Sequence, residues 1–263
     1  MARGVAVVTG ASGGIGLEIA RVLAREGYDL ALVARSAGLL ETQARDFERE
    51  HGIRALPVAL DLAAPGAPER VMAVLGEHNL QPDVLVNNAG FATFGRFAEI
   101  PLEEERGEIE LNVAALTALC KLALPGMLAR GTGNILNVAS TAAFVPGPYM
   151  AVYYATKAYV LSFSEALAEE LRGTGVRVTA LCPGATASGF QARAGITEVP
   201  FYGSRKLPDA ASVAAYGVRA MHKGVAVAIP GVDNRALPAL LRVVPRRIVP
   251  RLVAKLQTPG GGR

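Results

Sequence analysis

Short apolar runs recur along the chain, and residues at helical spacing fill the intervals between them. Val5–Thr9 is the first run, long enough for a buried parallel strand. Ile15, Ile19, Ala20, Leu23 and Ala24 then recur at helical spacing up to Gly27. Tyr28 and Asp29 read as the turn out of that helix, and Leu30–Ala34 as the second strand. Leu39–Glu50 reads as a charged surface helix. Arg54–Ala59, Val84–Asn87, Asn134–Ala139, Val176–Cys182 and Val225–Ile229 read as further strands, and Leu102–Leu128 and Val152–Leu171 as long helices. This alternation predicts an α/β fold, a parallel sheet of about seven strands with helices on both faces. Ligands of such sheets sit beyond the carboxyl ends of the strands, where Thr9, Asp61, Asn87, Ser140 and Pro183 fall.

A chain of 263 residues, 51% hydrophobic, without repeats or a low-complexity linker, fits one packed domain. Its most apolar stretch, Leu111 to Leu128, is interrupted by Asn112, Lys121 and Pro125 and is not read as a membrane span. Cys120 and Cys182, far apart in sequence, read as buried thiols in a reducing compartment. No secretory leader is read ahead of Val5, and a cytoplasmic protein is expected. The net charge of +4 is unevenly spread. Residues 234–263 carry Arg235, Arg242, Arg246, Arg247, Arg251, Lys255 and Arg263 and no acidic residue, so the remainder is slightly acidic. No nucleic-acid partner is expected of the body.

Three segments carry chemistry. Gly10, Gly14 and Gly16 follow the first strand and open a helix: one turns sharply, one lets backbone N–H groups approach phosphate, one lets helix and strand pack closely. Their spacing is G-x-x-x-G-x-G rather than G-x-G-x-x-G, and a tight turn without a ligand remains open. At the end of the second strand Ala34 is followed by Arg35 and Ser36, with no carboxylate for a ribose 2′-hydroxyl; a cation there favours a 2′-phosphate. Tyr153 and Lys157 lie four apart in a helix and project on one face, so the ammonium can stabilise a phenolate whose ordinary pKa is about 10. Tyr154, three residues from Lys157, is a competing candidate.

In these segments the chain resembles the classical short-chain dehydrogenase/reductases. Thr9-Gly-x-x-x-Gly-Ile-Gly16, Asn87-Asn-Ala-Gly90, Ser140, Tyr153-x-x-x-Lys157 and Pro183-Gly184 stand in family order and at family spacing. The resemblance covers residues 4 to 190 closely and extends loosely to 231. It implies a single Rossmann-type doubly wound domain over 1–233, with a substrate lid at about 186–222, followed by a basic, apolar extension at 234–263. It implies that Tyr153 is the general acid or base, that Ser140 binds the substrate carbonyl oxygen and that Lys157 holds the nicotinamide ribose. Asn112 would position a water near the lysine. The interval from Ser140 favours Tyr153 over Tyr154.

The resemblance further implies a dinucleotide site. Gly10, Ser12, Gly13, Gly14, Ile15 and Gly16 would cradle the pyrophosphate, with Arg35 and Ser36 at the 2′-position. Asp61 and Leu62 would meet the adenine, and Asn88, Ala89 and Gly90 the adenine-ribose side. Tyr153, Lys157, Pro183, Gly184, Thr186 and Ser188 would complete the nicotinamide side. Two departures stand out. The basic residue that NADP(H)-using members often carry in the glycine loop is Ser12 here, so the preference for NADP(H) over NAD(H) rests on Arg35. The threonine expected five residues after the proline is Ser188, with Thr186 nearby. No metal is assigned.

Phe91, Phe94, Phe144, Tyr149, Tyr154 and Phe190, together with Val145, Pro146 and Met150, form a candidate apolar wall beside Ser140. Such a wall suits a hydrophobic carbonyl compound, 3-oxoacyl, steroid or simple ketone, better than a sugar; ordinary loop packing is the alternative. The stretch beyond Gly189 to Tyr216 has poor periodicity. Leu237, Leu240, Leu241, Val244 and Ile248 fall at helical spacing, with Pro245 and Pro250 breaking the segment. Two readings stand for this tail: a lid or subunit-contact helix, or a basic amphipathic element at 234–257 on an anionic membrane surface. The expectation is an NADP(H)-dependent carbonyl reductase or alcohol dehydrogenase, assembled as a homodimer or homotetramer. The alternatives are a dinucleotide sensor without turnover and a membrane-associated scaffold.

Overall fold

The computed structural model describes residues 3–190, 194, 207–241 and 244–257. Its centre is a seven-stranded sheet in the order β3-β2-β1-β4-β5-β6-β7, with every strand pair parallel. The strands are β1 Val5–Thr9, β2 Asp29–Ala34, β3 Ala55–Ala59, β4 Pro82–Asn87, β5 Gly133–Val138, β6 Val176–Leu181 and β7 Val227–Ala228. The helices are α1 Gly14–Arg25, α2 Ala37–His51, α3 Ala67–Glu77, α4 Leu102–Ile109, α5 Leu116–Arg130, α6 Ala151–Glu170, α7 Ala210–His222, α8 Val232–Leu241 and α9 Val249–Gln257. The strand order reverses at β1, between β2 and β4, and this opens a crevice beyond their carboxyl ends.

The alternation of side chains along each strand builds two cores. Val5 and Val7 of β1 join α3, α5 and α6 residues such as Leu75, Leu119 and Val160 on one face. Ala6 and Val8 join Ile19 and Leu23 of α1, Leu40 of α2 and Val218 of α7 on the other. A strand covered on both faces can be buried at every position, as β1 is.

The structure corrects several expectations. Asp29 is the first residue of β2 rather than part of a turn: it pairs with Val5, and its carboxylate accepts from Arg54 N at 2.9 Å and Nε at 2.8 Å. β7 is two residues long, not five. α3 lies where the hydrophobic pattern marked no element, and α7 occupies the end of the stretch read as unperiodic. The long helix expected at 102–128 runs unbroken from Leu102 to Arg130, and what the pattern does not show is the π-helical turn at Glu110–Ala115 between α4 and α5. By length and composition alone Leu102–Arg130 could cross a membrane; here α5 packs on β4 and β5 with Leu116, Leu119, Cys120, Ala123 and Met127 buried. Cys120 and Cys182 are buried, unpaired thiols, each pushed up to about 12 by burial.

The apolar stripe expected in the tail is not the buried one. Leu240 and Ile248 are exposed and Leu241 is half-buried, while the inward face of α9 is Val249, Val253 and Gln257. Pro245 falls in the break between α8 and α9, but Pro250 sits in the first turn of α9, where its missing N–H costs nothing. α8 begins at Val232, ahead of the expected boundary at 234. The lid expected at 186–222 falls partly outside the described residues, Phe201 and Tyr202 with it.

Candidate active site

Thr9 ends β1 and ties the glycine turn to the end of β4. Its hydroxyl donates to Val86 O at 3.1 Å and accepts from Asn88 N at 2.9 Å and Ala89 N at 3.0 Å. Asn88 Nδ2 returns bonds to Thr9 O at 2.9 Å and Gly10 O at 3.2 Å. Gly10 has φ +65° and Gly14 φ +57°, both in the left-handed region that glycine tolerates. A Cβ on Gly16 would run into Asn88 Nδ2 and Gly10 O, so helix and turn close only over a glycine. A Cβ on Gly13 would meet nothing within 4 Å, because Gly13 faces the crevice. No side chain caps the N-terminus of α1, and its first N–H groups stay available to an anion.

The remaining candidates for a nucleotide line the same crevice, a cleft of about 680 Å³. Ser12 and Ile15 flank the glycines, Arg35 and Ser36 follow β2, and Asp61 and Leu62 follow β3. Arg35 is exposed and makes no ion pair among the described residues. Asp61 Oδ1 accepts from Ala63 N at 3.0 Å. Ala89 and Gly90 form the floor; Pro183, Gly184, Thr186 and Ser188 come from the loop after β6. Ser188 presses on the glycine turn, since a Cβ on Gly14 would lie 3.0 Å from Ser188 O. A cradle this open, with an uncapped helix end and a free guanidinium at its rim, fits a dinucleotide.

Beyond the glycines lie Ser140, Tyr153 and Lys157. Ser140 follows β5, and its Oγ accepts from Ala142 N at 3.0 Å, capping the short turn Thr141–Phe144. Tyr153 and Lys157 stand one turn apart on α6, both buried. Lys157 Nζ lies 5.8 Å from the centre of the Tyr153 ring and donates to Val138 O at 2.8 Å. Burial brings the Lys157 ammonium down to about 8, against the opposing charge of Glu108. Asn112 lies inside the π-helical turn: its Oδ1 accepts from Phe91 N at 3.2 Å, and its Nδ2 donates to Phe91 O at 2.9 Å and Thr156 Oγ1 at 3.2 Å. A Cβ on Gly90 would sit 2.8 Å from Asn112 Oδ1 and 3.6 Å from Lys157 Nζ, so three separate elements converge there. Neither Asn112 nor Gly16 lines the cleft; both lie behind its wall. Asn87, first of the Asn-Asn-Ala-Gly run, turns into the core, where its Nδ2 donates to Asn137 Oδ1 at 2.9 Å.

Of the apolar candidates, the structure brings Phe91, Tyr154 and Phe190 to the cleft with Val145 and Met150. Phe144, the last residue of the turn after Ser140, packs against the core instead. Phe94 and Tyr149 do not line the cleft; their rings meet at a tilt of 43°, centres 6.3 Å apart, and Tyr149 has φ +68°. The wall also contains residues that the hydrophobic pattern did not suggest: Val253, Leu256 and Gln257 of α9. Their signal is a spacing of four through Val249, Val253 and Gln257, in which the last member is polar. Glu108, fully buried one turn before Asn112, was not singled out either. Its Oε2 accepts from Thr93 N at 3.1 Å and Oγ1 at 3.0 Å, and burial pushes its carboxyl up to about 7.

The family described as short chain dehydrogenase matches residues 4–198 of this chain. A protein of Streptomyces coelicolor named as a ketoacyl reductase is 41% identical over 182 residues, 68% of this chain and 69% of its own. A very-long-chain 3-oxoacyl-CoA reductase of Laccaria bicolor is 39% identical over 66% of this chain, which spans about half the length of that relative, 52%. Among solved structures, a short-chain dehydrogenase from Sphingobium yanoikuyae in complex with NADPH superposes with TM-score 0.80 at 32% identity, covering 92% of this chain and 97% of that one.

Proposed function

The chain belongs to the short-chain dehydrogenase family, oxidoreductases that use a nicotinamide cofactor, and we propose on that footing that it is an NADP(H)-dependent reductase of hydrophobic ketones. The observation that carries this reading is the convergence of Ser140, Tyr153 and Lys157 on one end of a cleft whose other end is an open glycine cradle. The preference for NADP(H) is supported by the unpaired Arg35 and by the NADPH held by the Sphingobium relative. The hydrophobic substrate is supported by Phe91, Met150, Phe190 and Val253 in the cleft and by the acyl-chain reductases among the relatives.

When bound, the nicotinamide supplies or accepts the hydride. Gly13, Gly14 and the first turn of α1 would hold the pyrophosphate, and Lys157 and Ser188 would border the nicotinamide end. Ser140 Oγ, held by Ala142 N, stands ready to donate to the substrate carbonyl oxygen as negative charge develops there. Tyr153 Oη delivers the proton to that oxygen in reduction and removes it in oxidation. The Lys157 cation stabilises the phenolate left on Tyr153. Asn112, anchored on both polar groups of the Phe91 backbone, keeps the π-helical turn and the wall behind Lys157 in place.

A Tyr and a Lys in this arrangement would be superfluous in a sensor that only binds cofactor. The deciding experiment follows NADPH absorbance with a panel of aliphatic and aryl ketones. Turnover that vanishes in Tyr153→Phe is expected. NADPH binding with no turnover on any ketone would replace this reading with that of a sensor.

A further inference from the structure

Helix α9 closes the substrate end of the cleft, and the residue it places there is polar. Val249, Val253 and Gln257 follow at intervals of four and share the inward face, while Arg251, Leu252 and Lys255 face out. Gln257 is 3% exposed, close to the burial of Val249 at 6%. Its amide Nε2 donates to Tyr154 Oη and lies 3.9 Å from Met150 Sδ. Its Oε1 is cut off from solvent and has no hydrogen-bond partner among the described residues. An amide atom buried without a partner carries a desolvation cost that an apolar side chain at the same place would avoid. Among the described residues, the neighbouring wall side chains Met150, Phe190, Val253 and Leu256 are apolar. Tyr154 adjoins Tyr153, their rings edge to face at 6.0 Å, so the Gln257 amide borders the cleft behind Tyr154.

From this we infer that Gln257 is a specificity-determining residue, whose amide receives a hydroxyl carried by the apolar substrate at a distance from its reacting carbonyl. The inference rests on the ketone-reducing reading above and names the substrate class within it: hydroxylated hydrophobic ketones. A hydroxyl fits because it both donates and accepts. It can give its proton to Oε1, and it would serve equally if the amide turned and offered its N–H₂ instead. A carboxylate fits less well, because it only accepts and could use the amide in just one of its two orientations. A glutamine on the last turn of a helix reaches such a group by rotation about its own side-chain bonds, without moving α9. The remaining wall can then stay apolar and accept the hydrocarbon between the two polar ends.

The test is a ladder of methyl ketones of increasing chain length, each paired with its ω-hydroxy counterpart, with kcat/KM measured under saturating NADPH. In the wild type the ratio of hydroxylated to parent ketone should peak at one chain length by roughly tenfold, the contribution of a single well-placed hydrogen bond. Gln257→Leu should flatten the profile. Gln257→Asn should keep the peak and move it to the ketone one methylene longer, because the amide is drawn back by one methylene; a purely structural role for Gln257 would not move it. NADPH dissociation constants, read from cofactor fluorescence, report whether each variant is folded, and the Asn variant carries the test if the Leu variant is not. A flat wild-type profile, or a peak that persists unmoved in both variants, would overturn the inference while leaving ketone reduction intact. Absence of turnover across the whole ladder removes the ketone reading and this inference with it.

Discussion

Lys157 Nζ donates to the carbonyl of Val138, the last residue of β5, at 2.8 Å. The bond joins α6 to the sheet at the point where β5 gives way to Ser140, so one contact fixes the lysine, the strand end and the serine relative to each other. It also holds an ammonium where burial brings it down to about 8, leaving it mostly charged at neutral pH. An ammonium has three donors, and Val138 O is its one hydrogen-bond partner among the described residues, so two remain for the roles proposed for Lys157.

Tyr153→Phe is expected to lower kcat by at least about 10² to 10⁴ while leaving the NADPH dissociation constant nearly unchanged, since it removes the acid but not the lysine or the cradle. Tyr154→Phe should retain turnover. Steady-state kinetics on one accepted ketone separate the two, and an active Tyr153→Phe beside a dead Tyr154→Phe would reverse the assignment.

Arg35 sits at the open rim after β2, and no carboxylate among the described residues pairs with it. Arg35→Ala should weaken NADPH binding by about 1.5 to 3 kcal/mol, the size of a lost charge-assisted contact, and leave NADH binding little changed. Dissociation constants of both nucleotides for both proteins test this. Equal affinity of the wild type for NADPH and NADH would sink it.

Glu108 makes fold stability depend on pH with a definite sign. Burial raises its carboxyl to about 7, with Glu105 adding to the rise and Thr93 and Lys157 opposing it. From pH 4.5 to about 7 the unfolded chain has lost this proton and the folded one retains it, so stability falls as pH rises through that window. The contribution is at most about 3 kcal/mol. Glu108→Gln, which keeps the shape and the donor-acceptor character of the protonated acid, should abolish this slope and be the more stable protein at pH 7. Denaturant unfolding at pH 5 and pH 7 (two points within that window) reads the difference; identical slopes for the two proteins would refute the assignment.

Much of this site is legible in the sequence because its chemistry is tied to strand ends. An apolar run that stops at Thr9, Asn87 or Ala139 tells where the next polar residue must stand, and the spacing of Tyr153 and Lys157 needs only a helix to put both on one face. What was not legible depends on contacts across the fold. The π-helical turn at Glu110–Ala115 carries no glycine or proline to announce it; it is stabilised by Asn112 bonding the backbone of Phe91, in another element. The phase of the tail was lost because the stripe from Leu237 to Ile248 was traced across a break, whereas α9 begins afresh at Val249. Gln257 escaped notice because a hydrophobic pattern treats an inward polar residue as an outward one.

The glycine turn offers a way to separate folding from binding with one methyl group at each of two positions. At Gly16 an added Cβ would meet Asn88 Nδ2 and Gly10 O, both locked by hydrogen bonds, so the turn would have to open. Gly16→Ala should therefore destabilise the fold by about 1 to 3 kcal/mol, as overpacking does. Gly13 has an extended backbone, φ 179°, which alanine adopts without strain, and its Cβ would meet nothing within 4 Å. Gly13→Ala should leave thermal stability within about 0.5 kcal/mol of wild type. The same methyl group would stand in the space through which a pyrophosphate approaches the N–H groups of α1, and NADPH affinity should fall by tenfold or more. Thermal unfolding without nucleotide and NADPH titration, run on both variants, make the comparison. If Gly13→Ala bound NADPH as the wild type does, the pyrophosphate would have to lie elsewhere than over the first turn of α1.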